Sequence, residues 1–460
     1  MPVARFAAKV GGLGKAREGR GKDETGRLQI ARETGGDGPC SAARDHQPRF
    51  IKRGVEGREA LAGTASGPSG ASLRPSRSPS VPPVSPTLDT IIAIPVRNEA
   101  ERIARCLTAI DGQAGLPPGR LGLVLFLNNC TDGTERIVAD LVPRLAIPVR
   151  VIERVHAGAH AGWARRAAMD AAVAWLEEEG TAEAATLLTT DADSIVPPDW
   201  VAANLAALEA GADAVAGRVE LIPEEAALLP PSLPARGRLE DTYDALITEM
   251  EARIDPDPHD PWPCHRTTIG ASLAVRLPAY REVGGMPEIP LGEDGAFVGA
   301  LLQRGFRVRH DRAVLVLISA RLTGRAAGGV ADTIRSRCEE PDALCDARME
   351  AVPRALHRYV WRARLRRLYN EGRLTRDLGW ARRLGIPDGE ARRIAALPRV
   401  GEIVAAVDRA SPRLAYRPLM PKQLPGQIRL ARLVLPLLRA ALRRPAPSAL
   451  PVIPAATADA

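Results

Sequence analysis

Asp191 and Asp193 stand two residues apart, directly after the apolar run at residues 186–190, in the segment TTDADS. Carboxylates so spaced at the end of a buried strand can offer oxygen ligands to one hard divalent cation of the kind that accompanies a diphosphate. Asp193, with Asp191 beside it, is therefore the candidate for Mg²⁺ or Mn²⁺. A second acidic point, Glu293-Asp294, follows Gly284-Gly285 and opens a helix predicted over 295–304. Negative charge at a helix start is favourable for structural reasons alone, by about 0.3–1 kcal/mol. A carboxylate held beside a metal site also serves as a general base for a hydroxyl, a role worth roughly 10²–10⁴ in rate. Spacing alone leaves both roles open.

Those acids need elements to carry them. From residue 88 short apolar runs alternate with amphipathic stretches, which predicts strands at 90–95, 121–127, 149–152 and 186–190 and helices at 99–110, 134–141 and 161–179. Such alternation implies right-handed crossovers and a mostly parallel sheet with helices on both faces, an α/β fold. Ligands of these sheets bind beyond the carboxyl ends of the strands. There the sequence places Pro95-Val-Arg97-Asn98-Glu99, then Asn128-Asn129-Cys130-Thr131-Asp132-Gly133, then Thr190-Asp191-Ala192-Asp193-Ser194. Helix capping accounts for any one of these loops. Three on one sheet edge favour a shared ligand site.

Past this core an irregular insertion spans 223–268, with a helical stretch near 239–254 and the turn-rich DPDPHDPWPCH. Strand and helix signals resume at 271–276, 278–283, 295–304 and 313–318. Beyond residue 329 the chain is helical and Arg-rich, with Arg362, Arg364, Arg366 and Arg367 close together, and it breaks down into Pro and Ala after Arg444.

Composition narrows the class. The 460 residues allow two to three domains, and 63 Lys and Arg against 55 Asp and Glu give a net charge of +8, mild for this length. Aromatic residues make up 3% of the chain, so stacking platforms for single-stranded nucleic acid are scarce and no nucleic-acid partner is expected. No run of 18 apolar residues occurs, which argues against a membrane-spanning helix. The six cysteines form no CxxC pair, and Lys9, Lys15 and Arg17 precede no apolar stretch of signal length; a reducing cytoplasm is the expected location. Residues 1–86, rich in Gly, Arg, Ser and Pro, are expected to be a disordered basic tail or a mis-assigned start.

The succession IPVRNEAERI, LNNCTDGT, TTDADS, GASLAVR with VGGM, and then GED resembles the GT-A catalytic domain of the inverting family 2 glycosyltransferases, over about residues 88–325. The resemblance implies a nucleotide-sugar donor with its base and ribose on the first two loops. Carried across by position, Pro95, Asn98 and Glu99 match the first nucleotide-contacting loop and Asp132 the acidic residue facing the base. Asp191 matches a contact to ribose or metal-bound water, Asp193 the direct metal ligand, and Asp294, after Glu293, the base that deprotonates the acceptor. Gly270 and Ala271 match the segment that approaches the transferred sugar. Where the family often has a metal-binding histidine, this sequence reads ISARLTGR, so metal binding would rest on Asp193, the diphosphate and water, with Arg321 and Arg325 as diphosphate partners. His310, before the last strand, is either a further ligand or an ordinary surface histidine. The QxxRW signature of processive synthases is absent, as are their membrane helices.

Four segments are thus expected: 1–86 as the tail, 87–330 as the GT-A domain, 331–445 as a helical Arg-rich extension and 446–460 as a second disordered tail. The expected activity is metal-dependent transfer of one sugar from a nucleoside-diphosphate sugar to a hydroxyl acceptor, by a cytoplasmic enzyme or one peripheral at the inner face of the membrane. Its rivals are a nucleotide-sugar nucleotidyltransferase and a catalytically dead GT-A scaffold for an acidic or membrane partner. The first should show a Gly-rich basic phosphate loop after the first strand, where PVRNEAER offers only Arg97. The second has no reason to keep Asp191, Asp193 and Asp294 together. Among weaker features, His156 and His160 read as a Gly-flanked loop rather than a helical metal pair. Arg165 and Arg166 read as a solvated helix face, although phosphate contact is conceivable. Trp262 and His265 fit an acceptor pocket or turn packing equally. The Arg-rich helices suit anionic lipid, an acidic acceptor or plain solvent.

Overall fold

The computed structural model describes residues 87–441; the expected tails at 1–86 and 446–460 lie outside the described residues. In chain order the elements are β1 (Thr90–Val96), α1 (Ile103–Asp111), β2 (Leu121–Asn128), α2 (Thr134–Leu141), β3 (Val149–Arg154), α3 (Ala161–Glu178), β4 (Thr186–Thr189), α4 (Trp200–Glu209), β5 (Ala214–Leu221), α5 (Pro223–Ala226), α6 (Ser232–Ile254), β6 (Leu273–Arg276), α7 (Leu277–Glu282), α8 (Glu293–Arg304), β7 (Val308–Ile318), α9 (Val330–Glu339), α10 (Val352–Asn370), α11 (Gly379–Leu384), α12 (Asp388–Ala395), α13 (Val400–Ala410) and α14 (Leu424–Ala441). The strands form one sheet in the order β3-β2-β1-β4-β6-β5-β7. All neighbours run parallel except β6, which is antiparallel to both β4 and β5.

β1, β2 and β4 are apolar on successive residues because both sheet faces are covered. One apolar layer joins alternate strand residues such as Ile92, Ile94, Leu123 and Leu125 to α1, α2 and α4. The other joins Ile91, Ala93, Val124 and Phe126 to α3, α7 and α8. On α3 the buried stripe Ala164, Ala168, Ala172 has no side-chain bulk, so the helix lies close over the strands. Register then aligns the strand ends: Val96 pairs with Leu127, and Ala93 with Thr189. The loops after β1, β2 and β4 leave the sheet on the same edge.

Some elements depart from expectation. The helix predicted from residue 99 starts at Ile103, because residues 99–102 form a turn. The insertion helix starts at Ser232 rather than near 239. β5 and α4 have no counterpart in the sequence analysis. β5 carries Gly217, Arg218 and Glu220, which break its apolar pattern, and its pairing with β7 is irregular between Gly217 and Arg218.

Many of the Arg-rich extension's arginines face acids, not solvent. Glu251 on α6 accepts from Arg266 Nε at 3.2 Å, Arg348 Nη2 at 3.1 Å and Arg362 Nη1 at 3.0 Å, which ties the insertion to α10. Arg358 is buried against Glu350 at 2.7 Å, and Arg362 also pairs with Asp408 at 2.7 Å. Burial pushes the Glu251 carboxyl up, but the three arginines overcome it and hold it down to about 2, from an ordinary 4.5. A depressed folded-state pKa means that the contribution is complete above the ordinary carboxylate range and is lost as pH falls toward 2. Glu251→Gln leaves three guanidinium groups without their anion. Urea titrations at neutral pH are expected to show a loss of about 3–5 kcal/mol, and the gap from wild type should narrow in acid.

Candidate active site

The first two loops are latched to each other. Asn98, in the left-handed region at φ 54°, accepts from Thr131 N through Oδ1 at 2.8 Å, and Thr134 Oγ1 accepts from Glu99 N at 2.8 Å. Asp132 accepts from Ala100 N at 3.0 Å through one oxygen, and through the other from Thr134 N at 3.0 Å and Thr134 Oγ1 at 2.5 Å. Both its oxygens are thus spent on tying the start of α2 to the loop after β1, and the N–H and hydroxyl donors hold its carboxyl below the usual range against the effect of burial.

Beyond β4, Asp191 accepts from Arg165 Nη2 at 2.7 Å. Arg165 is 5% exposed; its Nη1 donates to Thr189 Oγ1 and to the Gly270 carbonyl, each at 3.0 Å, and its Nε to Glu293 Oε1 at 3.3 Å. This one guanidinium joins β4, the segment before β6 and the start of α8. The expected solvated face does not hold for it. Helix phase carried the signal: Arg165 sits one residue after Ala164 and three before Ala168, on the side of α3 that packs down on the sheet. Gly270 has no room for a side chain there, since a Cβ would lie 2.4 Å from the Arg165 guanidinium.

Asp193 lies 3.0 Å from Arg321 Nη2, and Arg321 also grips both oxygens of buried Glu99 at 2.8 Å. Burial first, then the neighbouring Asp191 and Glu99 charges, push the Asp193 carboxyl up to about 7 in spite of Arg321. Asp294, at the start of α8, accepts from Gly270 N at 2.9 Å and Gly295 N at 2.7 Å. Burial, followed by Glu293, pushes it up to about 6, against those two N–H donors and Arg165.

Asp191, Asp193, Glu293 and Asp294 all line one cavity of about 240 Å³, with Pro95, Glu99, Gly270, Arg321 and Arg325. Asn98, Asp132 and Ala271 lie outside its lining; Ala271 is buried in the core, and Asn98 supplies its carbonyl to Arg325 Nε at 2.9 Å. Residues that sequence reasoning did not assign to the site also line the cavity, among them His160, read there as part of a Gly-flanked loop. His160 caps α3 by accepting from Trp163 N at 3.2 Å, and the glycine-rich stretch from Gly324 to the start of α9 forms one wall. His310 is a correction. It is neither a surface residue nor part of the cavity lining: it is buried, with Nδ1 2.8 Å from Asp260 Oδ2 and its ring 5.6 Å from that of His265. Burial, above all, lowers its pKa.

The donor set suits a hard cation. Asp193 and Asp191 supply carboxylate oxygens to one side of the cavity, and each also faces a guanidinium, Arg321 at 3.0 Å and Arg165 at 2.7 Å, so a cation there would share these oxygens with the arginines. Among the described residues no group of three or more His, Cys, Asp or Glu side chains could hold a metal. Protein ligation would therefore be limited to these two carboxylates, with water and ligand oxygens completing the shell.

Residues 91–260 match the family model described as glycosyl transferase family 2. No curated protein matches the chain. Among solved structures, S. aureus TarS 1–349 in complex with UDP-GlcNAc is 14% identical, covering 77% of this chain and 92% of its own, with a TM-score of 0.38. The mannosyltransferase PcManGT from Pyrobaculum calidifontis, in complex with GDP-Man and Mn²⁺, is 18% identical, covering 71% and 89%, with a TM-score of 0.35. Over residues 91–260 the chain thus carries a glycosyl transferase family 2 domain, and this match supports a nucleotide-sugar-dependent glycosyltransferase.

Proposed function

We propose that the enzyme is a metal-dependent, inverting glycosyltransferase that moves one sugar from a nucleoside-diphosphate sugar to a hydroxyl acceptor. The observation that supports this most is the convergence of Asp191, Asp193 and Asp294, from two distant stretches of chain, on one cavity at the carboxyl edge of the sheet. A divalent cation held by Asp193 and Asp191 would neutralise charge on the leaving diphosphate. Arg321 and Arg325, on the same wall, supply further positive charge for that group. Asp294, ionised at neutral pH, draws the proton from the attacking hydroxyl, and one displacement on the face opposite the leaving group inverts the anomeric centre. Arg165 holds Asp191 and Glu293 in fixed relation, so the metal-binding and proton-accepting ends of the cavity keep their spacing.

Thermal-shift measurement of nucleoside diphosphates and their sugars with Mn²⁺ tests the reading. A ligand at a hundredfold excess over its Kd stabilises the native state by about 2.7 kcal/mol, a rise of roughly a few degrees for a domain of this size. The rise is expected for one nucleotide family and only with the metal present. If no nucleoside diphosphate or nucleotide sugar moves Tm, the donor reading is wrong.

A further inference from the structure

α14 is apolar on two faces. Leu424, Ile428, Ala431 and Leu435 are buried against α6 and α10, as the inward stripe of a surface helix should be. The opposite stripe, which faces solvent, carries Leu433 at 72% exposure and Leu437 at 69%, with exposed Pro436 and Ala440 between and beyond them. A helix that is apolar around most of its circumference needs a second cover. No helix among the described residues is long and apolar enough to cross a membrane, so the cover is not a spanning arrangement of α14.

Charge identifies the cover. Exposed Arg429 and Arg432 border the leucine stripe on one flank, Arg429 about 40° and Arg432 about 100° around the helix from Leu433, and form no ion pair among the described residues. Arg439 follows about two turns after Arg432, held by Glu249 at 2.7 Å but still half exposed. In the sequence Arg443 and Arg444 come next, and no Asp or Glu occurs from residue 424 to residue 458. Apolar side chains flanked by arginines on one helix face match the boundary of an anionic bilayer, where leucines enter the acyl region and guanidinium groups meet lipid phosphates.

We propose that the outward face of α14 docks the enzyme on an anionic membrane surface, with Leu433 and Leu437 inserted and Arg429 and Arg432 at the headgroups. This does not depend on which sugar is transferred or on how. The full chain is floated with vesicles of phosphatidylcholine alone or with added phosphatidylglycerol. Binding is expected only to the anionic vesicles and should weaken with salt. The double variant Leu433→Ser/Leu437→Ser should lower partitioning at least about tenfold, and Arg429→Gln/Arg432→Gln by a similar factor at low salt. Neither should change the melting temperature, because these side chains face solvent. No binding, equal binding to neutral vesicles, or anionic binding that survives both variants overturns the proposal. So does sedimentation showing a wild-type dimer that the leucine variant converts to monomer, since a second copy would then be the cover.

Discussion

Asp294→Asn is expected to leave donor affinity near wild type while lowering turnover by about 10²–10⁴, the range for removal of a general base. The side chain is well suited to that task. A carboxyl pushed up to about 6 by burial and by Glu293 remains ionised at neutral pH yet is a stronger base than an ordinary aspartate. The sign of the pH dependence follows: the active form is the ionised one, so turnover should rise with pH through about 6 and level above it. The amide cannot accept from both Gly270 N and Gly295 N as the carboxylate does, so donor affinity is measured separately to detect any disturbance of the cavity. Unchanged turnover, or a rate that falls as pH rises through 6, removes Asp294 as the base.

The sequence revealed those parts whose signal is local. β1, β2 and β4 are runs of consecutive buried residues, and the acids that follow them could be placed at one sheet edge without knowing any contact. β5 escaped because Gly217, Arg218 and Glu220 interrupt its apolar run, and only its pairing with β6 and β7 makes it a strand. Arg165 escaped for a different reason. Its charge suggested solvent, whereas its helix phase pointed inward toward Asp191 and Glu293, acids 26 and 128 residues away. The extension's arginines are the same case on a larger scale. Arg362 finds Glu251 across 111 residues and Asp408 across 46, and no pattern within α10 foretells either partner. His310, read as a further ligand or a surface histidine, is instead buried against Asp260 of the insertion. What stayed hidden was long-range polar pairing, which depends on tertiary structure and leaves no period in the sequence.

Arg321 makes the metal-binding half of the proposal sharper than Asp193 alone. Its guanidinium sits 3.0 Å from Asp193 and spans both oxygens of Glu99, so it already supplies positive charge to the acids that would hold a cation. A cation reaching Asp193 must compete with that contact, and two positive charges around one carboxylate repel. Arg321→Gln should therefore tighten Mn²⁺ binding in the absence of nucleotide, by about tenfold, equivalent to about 1.4 kcal/mol, because both Asp193 and Glu99 lose their neutralising partner. The same variant should bind a nucleoside diphosphate more weakly, since a charge facing the phosphates is gone. Asp193→Ala acts in the opposite direction and should abolish the metal dependence of donor binding while leaving Arg321 paired with Glu99. Calorimetric titration of Mn²⁺ into each variant separates the cases without measuring turnover. Looser Mn²⁺ binding in Arg321→Gln would mean that the arginine supports the metal site instead of competing with it. A titration of Asp193→Ala indistinguishable from wild type would place the metal elsewhere.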